Sequence, residues 1–197
     1  MSAALVSQST QQHALKDDLE SSIYVLLWVA LMCSETSNPD QAVLFLKTVL
    51  DQQPFGGLGS YQKADFLKGR TFLNLVKFVD RPALDELINQ LACIFGSRYV
   101  TPPSDEERRD VAVVRNLVSD DPMRSDLYLN MPASIFDVRF SKLEDHEAII
   151  ELFDAALSNP DWPPNDRPVK RDFEAIELQA IIKSGWRTSL FVVPEPE

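Results

Sequence analysis

Three short clusters carry residue types that chemistry uses. Asp17-Asp18 is a pair of adjacent carboxylates, the kind of set that could ligate a cation. At the head of an apolar run, however, such acids serve as helix caps. Glu144-Asp145-His146-Glu147 surrounds one imidazole with three acids, but neighbours on a helix point in different directions and do not converge on one ion. A solvated acidic face is the expectation there. Gly56-Gly57-Leu58-Gly59 has the composition of a phosphate cradle, yet it follows a helix and a Pro54-Phe55 turn rather than a strand, so a plain loop is expected. With two histidines and two cysteines far apart, no zinc spacing appears. No local Ser, Cys and His arrangement makes a nucleophile motif. The residues therefore predict no catalytic group, no metal and no cofactor.

The elements around these clusters read as helices. Asp17 is a plausible cap with Glu20 three residues on, and Ile23 to Cys33 is apolar without interruption. One face would carry Leu19, Ile23, Leu26, Leu27, Ala30 and Leu31; the other would carry Tyr24, Val25, Trp28, Val29 and Met32. A helix apolar all round should be buried all round, and eleven residues are too few to span a bilayer. A central buried helix over about 17–34 is predicted. Pro39 opens a second helix over 40–51, a third covers 60–79 with a wobble at Gly69, and Asp80 caps a fourth that starts near Pro82 and reaches about 98. After the Thr101-Pro102-Pro103 linker, helix resumes to about 117. Residues 122–140 read as irregular, 141–158 as helix, and Arg171 to Lys183 as a last helix before a frayed tail at Val192. No alternating strand pair stands out. The predicted class is all-α, with a helical core over 1–100 and an acidic helical extension over 101–197.

Charge narrows the partners. Residues 1–100 carry 8 Lys/Arg against 10 Asp/Glu and residues 101–197 carry 11 against 20, so most of the net charge of −11 lies in the second half. No basic stripe is present to release counterions, which argues against nucleic acid and anionic membranes. Cys33 and Cys93 fall inside apolar helical runs, which suits buried reduced thiols. The N-terminus lacks the basic start and long apolar run of a secretory signal, so a cytoplasmic or nuclear setting is expected.

At the head of the apolar run, His13-Ala14-Leu15-Lys16-Asp17-Asp18-Leu19-Glu20-Ser21 followed by Tyr24-Val25-Leu26-Leu27-Trp28 resembles the start of the large central helix in the C-terminal lobe of protein kinases. The Asp-Asp-Leu-Glu-Ser form is similar to the casein kinases and, with His13 ahead of it, to the fungal-type protein kinases above all. Met1-Ser2-Ala3-Ala4-Leu5 resembles the Met-Ser run that closes that family's activation segment. Pro54-Phe55 and Lys63…Phe66-Leu67 resemble its next helix, and Leu143 to Asp166, with its Trp162-Pro163-Pro164-Asn165-Asp166 ending, its C-terminal end. The likeness is specific over 1–35, moderate to about 100 and patchy beyond.

The resemblance implies that Asp18 is a structural carboxylate accepting hydrogen bonds from an adjoining loop. It also implies that whole relatives transfer phosphate from ATP to protein Ser/Thr. The parts that do so are a Gly-rich loop, a strand lysine, a catalytic-loop aspartate with its asparagine and a metal-binding aspartate, and none is readable here. The expected function is a truncated kinase C-lobe without catalysis of its own, in which Asp17, Asp18, Glu20, His13 and Trp28 act structurally. A lobe cut before its central helix would expose apolar surface on the order of several hundred Å2 and call for a protein partner or self-association. A non-catalytic, pseudokinase-like interaction module and an unrelated helical domain are the alternatives.

Overall fold

The computed structural model describes residues 2–3, 14–50, 58–118, 124, 126–163 and 175, with residues 58–60 as backbone only. The chain is all-α. Its elements are α1 (Leu15–Cys33), α2 (Pro39–Phe45) running into a π-turn (Leu46–Leu50), α3 (Leu58–Gly69), α4 (Thr71–Leu75), α5 (Pro82–Gly96) continued by a 3-10 turn (Ser97–Tyr99), α6 (Asp105–Val118), a 3-10 turn (Tyr128–Asn130), α7 (Pro132–Ser141) and α8 (Glu147–Leu157). Among the described residues the sole extended pairing is one bridge between Thr36 and Phe78.

Local chemistry sets most boundaries. Pro39 and Pro82 occupy the first turns of α2 and α5, where a missing N–H costs nothing. The Asn38 side chain accepts from Gln41 N at 3.3 Å to cap α2. Ser104 and Glu107 form a reciprocal capping box at α6, with Ser104 N donating to Glu107 Oε2 at 2.7 Å and Glu107 N to Ser104 Oγ at 3.2 Å. The expected helix over 60–79 is broken at Arg70, whose left-handed φ of 52° ends α3 and starts α4. Asp80 also sits at positive φ and Arg81, not Asp80, is the cap residue of α5. The span 122–140, expected to be irregular, contains α7: Pro132 starts it, and Ser141, assigned to the following helix, ends it. The predicted helix from Arg171 to Lys183 lies outside the described residues except Ala175, which is helical; the Val192 tail and the Gly56-Gly57 turn also lie outside them.

The organising helix is α5 rather than α1. Ile88, Leu91, Ala92 and Phe95 are fully shielded, and α5 packs against α1, α3, α7 and α8. Its last residue, Gly96, lets α3 approach closely, because a Cβ there would stand 2.5 Å from the Leu67 carbonyl oxygen. Phe45, Phe66 and Phe72 knit α2, α3 and α4 together, with the Phe45 and Phe72 rings stacked 4.0 Å apart. Leu143, Ile149 and Ala156 of the second half belong to the same buried cluster. Trp162 packs against its edge, as a core plug should.

The expectation that α1 is buried all round is overturned. Ile23, Leu27 and Leu31 are fully covered, but Val25, Trp28 and Val29 are 62%, 46% and 44% exposed. Helices pack on one side of α1 and, among the described residues, nothing covers the other.

Candidate functional site

The densest polar arrangement lies where α1 begins and α5 ends. Along α1, positions 17, 20, 24, 27 and 31 follow one inward stripe at alternating three- and four-residue spacing. Its last three members are Tyr24, Leu27 and Leu31, and its first two are acids, so both carboxylates are carried into the core. Asp17 is 3% exposed and Glu20 is completely buried. Two carboxylates held out of water require compensation.

Arg98 supplies it from the 3-10 turn after α5. Its Nη2 donates to Asp17 Oδ1 at 2.6 Å and its Nη1 to Glu20 Oε2 at 2.5 Å, while Nη1 also reaches the Lys16 carbonyl at 2.9 Å. The Arg98 side chain is itself buried. Tyr99 OH donates to Glu20 Oε2 at 2.5 Å, and Tyr24 OH to Glu20 Oε1 at 3.2 Å. Ser2 Oγ donates to Asp17 Oδ1 at 3.0 Å and Ala3 N to Glu20 Oε1 at 2.8 Å, which fastens the chain start to α1. Ala14 N donates to Asp17 Oδ2 at 3.0 Å. Beside the cluster, Lys63 Nζ lies 4.8 Å from the Tyr24 ring centroid, a cation–π distance.

The electrostatics follow from this geometry. Burial alone would raise the Asp17 pKa, but the Arg98, Ala14 and Ser2 hydrogen bonds outweigh it and hold the carboxyl below its ordinary value. Burial also opposes the charge on Arg98, and the bond it donates to Asp17, with the Glu20 charge, outweighs this and raises its pKa. Tyr24 is pushed far above the usual phenol range, first by burial and then by Glu20. Lys63 is lowered by burial, against the pull of Glu20. Every oxygen of the two acids is engaged by donors from the protein. The cluster is a structural clamp with no open coordination position, and the hydroxyl that meets an acid in it, Ser2, is completely buried, with its partner carboxylate held by Arg98.

Comparison with family models, curated proteins and solved structures finds no match to this chain.

The expected positions divide. Asp17 and Glu20 meet in the clamp. Asp17 is not the cap residue, for α1 starts two residues earlier and Asp17 sits in its first turn, bonded back to Ala14. Asp18 is exposed, one hundred degrees around the helix from Asp17, and the buried carboxylate at the head of α1 is Asp17. Asp18 instead borders a shallow hollow of about 570 Å3 with Val25, Val29 and Phe153. Trp28 is half-exposed on the uncovered side. His13 lies outside the described residues. Arg98 and Tyr99 were missed. The signal was present: an inward stripe headed by acids demands a cation, and Arg98-Tyr99 closes the most amphipathic apolar helix of the first half.

The other clusters stay apart. Glu144, Asp145, His146 and Glu147 are exposed, as a solvated acidic face would be, and Asp145 Oδ1 accepts from Glu147 N at 2.8 Å. Among the described residues no group of His, Cys, Asp and Glu is placed to hold a metal ion. Cys33 and Cys93 are unbridged and half-buried, less enclosed than expected. Among the described residues no helix is long and apolar enough to cross a membrane.

Proposed function

We propose that this chain is a kinase C-lobe-like helical body of the fungal-type kind, not catalytic by itself, which presents the uncovered side of α1 to the part of a kinase fold that carries the catalytic loop. The observation that carries the reading is a union of two segments. The Met-Ser run and the Asp-Asp-Leu-Glu-Ser helix are the stretches in which the family resemblance is most specific, and they are tied together through Ser2–Asp17 and Ala3–Glu20 hydrogen bonds. A second observation supports the docking face. Val25, Trp28 and Val29 belong to an apolar run, and their exposure on a helix whose opposite side is fully packed leaves a one-sided patch. In this reading the clamp has a mechanical role. It fixes the start of α1, and through it the direction of the exposed patch.

Two measurements test the reading. The chain alone should bind no ATP with magnesium at micromolar concentrations by fluorescent-nucleotide titration; micromolar affinity would refute it. A separate polypeptide comprising the N-terminal lobe and catalytic loop of a fungal-type kinase should bind the chain, and Val25→Lys with Val29→Lys should abolish that binding.

The alternative interaction-module reading rests on the same patch and differs in its occupant. Self-association on sizing, lost on Val25→Lys, would favour it. A compact monomer that binds no hydrophobic dye would remove the motive for both.

A further inference from the structure

A second feature lies along α5 and α7. Two hollows of about 520 and 490 Å3 run along α5 and α7 and share Cys93, Ile135 and Arg139 as walls, so they form one trough. Its cations are spread along its length: Lys68 and Arg70 border the first hollow, Lys142 the second, and Arg139 both. None of the four makes an ion pair with a carboxylate among the described residues. Arg70 Nη1 instead points at Cys93 Sγ, 2.6 Å away. The two acids on the rim, Glu107 and Glu86, are hydrogen-bonded by the neutral side chains of Ser104 and Gln90 and keep their charge. Against four cations that leaves a local excess of positive charge in a chain of net charge −11.

The apolar walls are specific as well. Pro102, Pro103, Pro132 and Phe136 border the first hollow, and Leu129, Val138 and Leu152 the second. The α7 wall is braced from outside by Arg108, which grips Asp137 at 3.1 Å. Each hollow alone has the size of a small-molecule site, but together they exceed one. Charges spaced along a trough match carboxylates spaced along a chain, whereas a single phosphate would call for donors converging on one point.

We propose that the trough between α5 and α7 binds an extended acidic peptide carrying proline and aromatic side chains. The carboxylates meet Arg70, Arg139 and Lys142 in turn. The rings lie against the proline and Phe136 wall, where an extended polyproline-type backbone loses little entropy on binding.

The test uses the full chain and a fluorescein-labelled peptide, EPFVEPFE, followed by anisotropy at low salt, with QPFVQPFQ as neutral twin. Binding with Kd of about 10–100 μM is expected, at least tenfold weaker for the twin and weakened further by salt. Arg139→Glu should lower affinity about tenfold, and Arg139→Gln by less. Lys77→Glu, an exposed charge that lines neither hollow, should change nothing. No binding up to about 1 mM, equal binding of the twin, or equal loss in Lys77→Glu would overturn the proposal. Displacement of the peptide by millimolar citrate at constant ionic strength would also overturn it in favour of a small-anion site. Circular dichroism of each variant separates lost binding from lost fold, with the Gln variant as the milder perturbation.

Discussion

Replacing Arg98 with alanine is the most informative single perturbation of the clamp. The substitution removes the cation that bonds Asp17 at 2.6 Å and Glu20 at 2.5 Å, and leaves both acids in a region that water does not reach. Breaking a buried pair by deleting one partner costs about 3–5 kcal/mol, most of it the penalty of the stranded charge. In a chain of this size that corresponds to a fall in Tm of roughly 6–20 °C. The exposed pair Arg108–Asp137, with side chains 43% and 48% accessible, is the internal control. Arg108→Ala should cost far less than Arg98→Ala, since solvent screens both partners. Urea unfolding followed by circular dichroism reads both variants on one scale. The pH dependence adds a second check. Asp17 has a folded-state pKa held below its unfolded value, so its contribution is complete above the unfolded pKa and disappears as pH falls through the folded one. The gap between the wild-type chain and Arg98→Ala should therefore be widest near neutrality and narrow below about pH 4. An Arg98→Ala loss no larger than that of the Arg108 control would refute the reasoning.

Three further outcomes are expected. Glu20→Ala should destabilise by about 1–3 kcal/mol or more because it removes the buried acceptor of two tyrosine hydroxyls, of Ala3 N and of one Arg98 nitrogen, although Arg98 keeps Asp17, and exposed Asp18→Ala should cost less; denaturant midpoints decide, and a reversed order would refute the clamp. Gly96→Ala gains helix propensity yet forces a methyl group onto the Leu67 carbonyl, so a net loss of about 1–3 kcal/mol by thermal unfolding is expected; stabilisation would mean that α3 and α5 can part freely. Tyr24 has a raised folded pKa, so its contribution is present below the unfolded phenol value and lost as pH rises past about 10; urea unfolding at each pH should show Tyr24→Phe losing less stability than the wild-type chain between neutral pH and about pH 11.

Much of the helical layout was legible because it rests on local chemistry. Pro39, Pro82 and the Ser104–Glu107 box mark helix starts that neighbours along the chain are enough to specify. What failed was whatever depends on distant residues. Whether Asp17 or Asp18 turns inward is a matter of one hundred degrees of helical phase, decided by Arg98 eighty-one positions away. The burial of Trp28 was inferred from an apolar run, but a run records what a helix tolerates, not what packs on it. The break at Arg70 was legible only as a wobble at Gly69, since a left-handed arginine has no sequence signature of its own. The reading of 122–140 as irregular missed α7 because its apolar residues, Ile135, Phe136, Val138 and Phe140 among them, are spread around the helix and make no single face.

The clamp also orders events in time. During synthesis Asp17 and Glu20 are made long before Arg98, so a nascent chain carries two acids destined for the interior with no cation to meet them. Until α5 and the turn after it have emerged, the head of α1 is better off in water, and closing so long a loop is entropically slow. The first half of this protein should therefore lock into place late and all at once, when its hundredth residue or so leaves the ribosome.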